Sequence, residues 1–209
     1  MTAWASDATG AGMIALLELD AASIGPFLLS RPLVVGPLVG WALSPSWRDA
    51  GLGGALGFLF EALTLEELPL GGRLDFSASV AAGVAAALAA GPAAVAPEAA
   101  FLAGLFAGWA HARVERGQRR GRCASVRRAE AALAAGRPPR LGAEVLGALA
   151  LQAAVTFAVA LAALAAVGPA AARAWPVLPE FLRAGASAAF VAAPWLGAGS
   201  LAASLWRRA

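Results

Sequence analysis

Leu29-Ser30-Arg31-Pro32-Leu33-Val34-Val35-Gly36-Pro37-Leu38-Val39-Gly40 is the stretch on which the reading of this chain turns. An arginine stands inside a run that is otherwise apolar, with Pro26, Pro32 and Pro37 around it. Each proline removes a backbone donor and disfavours helix at the residue before it. A straight helix running through Arg31-Pro32 is therefore not expected. Two arrangements fit: a broken or re-entrant segment lining a buried or wet cavity, or a helix that starts at Pro32 with Arg31 at an interface. A charge inside an apolar membrane segment is costly and marks a functional site by default.

Downstream, residues 45–50 (PSWRDA) read as a polar loop, with Trp47 as an interfacial anchor. Residues 51–65 are apolar and carry Gly51, Gly53, Gly54 and Gly57, which permit close backbone approach to another helix or to a ligand. Glu61 lies inside this run, either as a functional carboxylate or as one at a helix end. Residues 66–76 form a Pro/Gly loop with Glu66, Glu67, Arg73 and Asp75. Upstream, residues 1–12 read as a tail or surface turn. Residues 13–19 are too short to span ~30 Å of hydrocarbon and are bordered by Glu18 and Asp20.

Whether such charges sit in a membrane is decided by composition. The chain has 209 residues, 60% hydrophobic and only 14% charged, against about 25% charged in an ordinary soluble domain. Its mean hydropathy is +0.70. So little polar surface cannot cover a soluble globule, and the chain is expected to be an all-α integral membrane protein. The opening residues carry Asp7 and no basic start, so no signal peptide is expected. Cys123 and His111 are each the sole residue of their kind, which excludes an intrachain disulfide and argues against a Cys/His metal site. No cofactor is expected.

Residues 77–91 and 97–112 read as two alanine-rich apolar helices, short for full spans, with His111 at an interface. Residues 113–140 hold nine arginines against two glutamates, a net +7 compared with +3 for the whole chain. The positive-inside rule makes this stretch cytoplasmic. It reads as a basic amphipathic helix on anionic headgroups, a docking surface for a cytosolic partner, or a solvated loop. Topology explains these arginines better than phosphate binding does, so nucleic acid is not an expected partner. Residues 141–168 and 181–206 read as spans joined by a Pro-rich link at 169–180, with both outer ends inside. The expected architecture is one membrane domain, 1–209, with about five to seven transmembrane and re-entrant helices and a broken helix at Arg31-Pro32. Its parts are a tail at 1–12, a motif region at 13–76, the basic segment at 113–140 and a helical hairpin at 141–206.

No phosphate-binding G-x-x-x-x-G-K-[ST], G-x-S-x-G, H-E-x-x-H or C-x-x-C pattern occurs. That absence makes a carrier more natural than an enzyme, and no catalytic residue is expected. Three motifs point further. Leu29 to Gly40 resembles the S-R-P-L-V-x-G-P-L-x-G signature of the membrane subunit IIC of mannose/fructose/sorbose-type sugar phosphotransferase systems (PTS). Gly51 to Glu61 resembles that family's glycine run leading into L-E. Leu68-Pro69-Leu70-Gly71-Gly72, with Asp75 after it, resembles its L-P-V-G-A loop and following aspartate. The upstream Leu19-Asp20 falls where the family has L-D. Residues 16–80 are covered; beyond them only the hydrophobic pattern is similar.

The resemblance implies a carrier subunit in the bacterial cytoplasmic (inner) membrane, multi-pass, that moves a hexose with a IID membrane partner. The phosphoryl group would come from a cytosolic IIAB phosphocarrier. Lipid and a second copy of the chain are further implied contacts. Glu61 and Asp75 would bind sugar hydroxyls, Arg31 would pair with a carboxylate or backbone carbonyls, and Pro69, Gly71 and Gly72 would shape the loop. The chain departs from the family at Thr64 and Glu66, in the short link from Gly71 to Asp75, and in ending at Ala209. Those departures motivate an alternative: a non-transporting PTS-related scaffold that recruits cytosolic phosphocarriers through residues 113–140.

Overall fold

Helix α4 (Ala78–Ala90) is the axis of the structure, and its sequence explains why. ASVAAGVAAALAA carries no charge and no aromatic side chain. A helix that is apolar all round has to be enclosed, and every residue from Ser79 to Leu88 is buried. The computed structural model describes residues 3–20, 28–64 and 76–208, without the side chains of 120–122, 204 and 207–208. All regular structure among the described residues is helical.

Around α4 lie α1 (Ala3–Leu19), α2 (Pro32–Leu43), α3 (Trp47–Leu63) and α5 (Pro97–Ala134). Small residues let them close in. At Gly83 a Cβ would strike the side chains of Ile14 on α1 and Val35 on α2. Next come α6 (Leu141–Ala162), a π turn at Ala163–Val167, α7 (Gly168–Ala174), a 3₁₀ turn at Trp175–Val177 and α8 (Glu180–Arg208). Phe60, Phe101 and Phe190 meet in sequence, tilted and then edge-to-face, with centroids 5.0 and 5.5 Å apart, and join α3, α5 and α8.

The α2–α3 hairpin is closed backbone against backbone. A Cβ at Gly36 would fall on the Gly53 carbonyl, one at Gly57 on the Pro32 carbonyl and one at Gly40 on the Asp49 carbonyl. Only glycine permits this approach. At the turn, Ser46 accepts from the Arg48 amide, as an N-cap should. The Ser44 hydroxyl donates to Asp49 at 2.6 Å.

No helix runs through Arg31-Pro32. Arg31 is extended (φ −65°, ψ 134°) and α2 begins at Pro32, where a proline needs no amide partner. Three other expectations are corrected. Residues 3–12, read as a tail, are helical and continue with 13–19 as α1, because Ser6, Gly10, Ala11 and Ile14 give the helix a face to bury. Trp47 opens α3 instead of lying in a loop. Of the readings offered for the basic stretch, the helical one is observed up to Ala134, since its alanines and arginines favour helix and no proline interrupts it. Residues 168–177 are helical too, with Pro169 in the first turn of α7 and Pro176 in that of the 3₁₀ turn.

Helices α4 and α5 are antiparallel. The Ser77 amide donates to the Gly108 carbonyl (3.2 Å) at one end, and the Val95 amide to the Leu88 carbonyl (3.1 Å) at the other. Beyond residue 111, α5 therefore continues past the start of α4. There α6 runs back along it, held by Arg128 to Glu144 (2.8 Å) and Gln118 to the Leu151 carbonyl (3.5 Å). Together they form an arm with most of its residues exposed. Two helical stretches, Leu141–Val177 and Glu180–Ala203, are long and apolar enough to cross a membrane. Helices α2 and α4 are apolar but shorter.

Candidate functional site

Polar side chains collect at the end of the bundle from which the arm projects. Asp20, just past α1, accepts the Leu29 and Ser30 amides at 2.8 and 3.2 Å, which ties the end of α1 to the start of α2. Arg31 follows immediately, and its guanidinium meets Glu61 near the end of α3 at 3.0 Å. The glycine contacts along the hairpin set this pair, since they bring Gly57 against Pro32, one residue from Arg31 and one turn from Glu61. The two carboxylate oxygens of Glu61 differ: Oε1 is held by Arg31, whereas Oε2 is buried and has no hydrogen-bond partner among the described residues.

A second polar group is more deeply enclosed. Glu18 of α1, His111 and Glu115 of α5 have relative exposures of 5%, 0% and 4%. Each offers a ligand atom, and the three atoms lie within 4.8 Å of one another. The hydroxyls of Ser77 and Ser79 both donate to Glu18, the former at 3.3 Å. Glu115 pairs with Arg119 one turn on, at 3.0 Å. His111 Nε2 lies 2.9 Å from the Thr156 hydroxyl of α6, beside the buried Gln152. Its other nitrogen, Nδ1, is buried without a partner among the described residues.

Of the residues expected to form the site, the structure brings Arg31 and Glu61 together. Asp75, Pro69, Gly71 and Gly72 lie outside the described residues. His111 is corrected from an interfacial residue to a buried one: Thr156 of α6 lies against its Nε2, and Glu18 of α1 is close by. Its partners were missed by counting only cysteine and histidine as ligands; the others are carboxylates distant in the chain. One signal was present: His111 and Glu115 are four residues apart, so a helix places them on one face.

Comparison with protein-family models, curated proteins and solved structures finds no match to this chain.

Proposed function

We propose that the chain is a multi-pass carrier subunit of the IIC type in a bacterial cytoplasmic membrane, and that Glu61 receives a hydroxyl of a hexose. The divided carboxylate of Glu61 carries this reading. Arg31 fixes one oxygen, and the other is a desolvated acceptor with no partner among the described residues. A carboxylate so held accepts a sugar hydroxyl through a charge-assisted hydrogen bond. The residues that interlock α2 and α3 and so create this pair are those in which the resemblance to IIC subunits resides. The positive-inside rule puts the arginine-rich arm, and with it the Glu61 end of the bundle, on the cytoplasmic side. That is where a cytosolic IIAB phosphocarrier would meet the sugar. A IID partner would cover part of the apolar surface of α8, and the phosphoryl chemistry would belong to IIAB.

The test is phosphoenolpyruvate-driven hexose uptake into vesicles containing the chain, its IID partner and the cytosolic phosphocarriers. Glu61→Gln is expected to lower uptake at least tenfold, as the loss of a hydrogen bond to a charged group worth ~1.5–3 kcal/mol requires. Undiminished uptake by Glu61→Gln would contradict the assignment. The exposed arm favours a second reading, a scaffold for phosphocarriers. That reading requires IIAB to co-purify with the chain while the complete system takes up no hexose.

A further inference from the structure

We propose that Glu18, His111 and Glu115 form a binding site for one divalent transition-metal ion of the Zn²⁺ class. The site does not depend on the sugar-carrier reading. Two carboxylates from different helices converge in a buried place, and Glu115 is paired with Arg119. Glu18 is compensated by two serine hydroxyls, which donate hydrogen bonds but neutralise no charge. Buried charge of one sign is costly unless paired or bound to a metal.

The imidazole makes the arrangement specific. With Nε2–H donating to Thr156, the lone pair of Nδ1 is free, and this nitrogen is buried without a partner among the described residues. Metal-bound histidines typically show this pattern, with the outer nitrogen fixed by a hydrogen bond and the inner one left to the ion. Nitrogen and carboxylate ligands bind zinc at about 2.0–2.2 Å. Drawing ligand atoms spread over 4.8 Å onto one ion takes a movement on the order of 1 Å, which side-chain rotation supplies. An imidazole in the set favours zinc and its neighbours over magnesium or calcium, which take oxygen ligands. Three protein ligands leave a fourth position for water or another small ligand.

His111 is the only histidine in the chain, so coordinated imidazole can arise nowhere else in untagged protein. Purified full-length chain, stripped with chelator, would be titrated with Zn²⁺ by calorimetry. It would then be loaded with Cu²⁺ and examined by pulsed electron paramagnetic resonance. The expected result is one Zn²⁺ per chain, with a Cu²⁺ spectrum showing nitrogen modulation from a single imidazole. Glu18→Gln and His111→Asn are expected to weaken Zn²⁺ binding at least tenfold, and Glu98→Gln, distant on the same helix, to leave it unchanged. The imidazole signal of the native chain decides the matter even if a variant does not fold. Absence of Zn²⁺ binding, or bound Cu²⁺ without imidazole modulation, would overturn the site.

Discussion

Arg31 and Glu61 show how much one residue can reveal and how much it cannot. Both stand out in the sequence because a charge in an apolar run needs a reason, and their pairing at 3.0 Å supplies one. The pair is partly exposed, at 34% and 21%, so its coupling should lie between that of a surface bridge and a buried one, about 1–2 kcal/mol. A double-mutant cycle of Arg31→Ala and Glu61→Ala, read by thermal unfolding in detergent, is expected to return that value; coupling near zero would mean the contact adds no stability. Gly57→Ala tests packing at the same place. Its new methyl meets the Pro32 carbonyl, and forcing the hairpin apart should cost about 1–3 kcal/mol, whereas Gly51→Ala, with open space around it, should be tolerated. Glu18, His111 and Glu115 were not legible as a group. Glu18 reads as the edge of a short apolar segment, and nothing in its local sequence reports that its carboxylate comes close to His111 and Glu115.

At the scale of the element, helices were easier to read than their ends or their partners. Alternation of apolar runs with Gly and Pro located α3, α4, α6 and α8 to within a few residues, and left the start of α2 as one of two alternatives. The length of α5 was not legible, because its composition changes from apolar to arginine-rich within one unbroken helix of 38 residues, about 57 Å at 1.5 Å per residue. The central place of α4 was missed for a similar reason: alanine tolerates any environment, and only its neighbours reveal that it is enclosed. Cys123 offers a test of the arm. It is the sole cysteine, lies on the basic half of α5 and is exposed. A membrane-impermeant maleimide is expected to label it in inverted vesicles and not in intact spheroplasts. Labelling of spheroplasts would place the arm outside and reverse the orientation.

At the scale of the whole molecule, composition announced a chain that cannot cover itself, and the structure shows where the apolar surface lies. Phe181, Val191, Trp195, Leu196, Leu205 and Trp206 of α8 are exposed, and α6 with its continuation leaves most of its apolar length unburied. So large an exposed apolar surface needs lipid or a partner subunit. The chain should therefore remain with the membrane fraction through an alkaline carbonate wash and be released by detergent; release by carbonate alone would contradict membrane integration. Hexose affinity of the detergent-purified complex with IID, measured by calorimetric titration, tests the central claim most directly. The account predicts saturable binding of a hexose that falls at least tenfold in Glu61→Gln, with the complex still assembled. A folded, assembled complex that binds no hexose, or that binds it equally well with Glu61→Gln, would contradict the account.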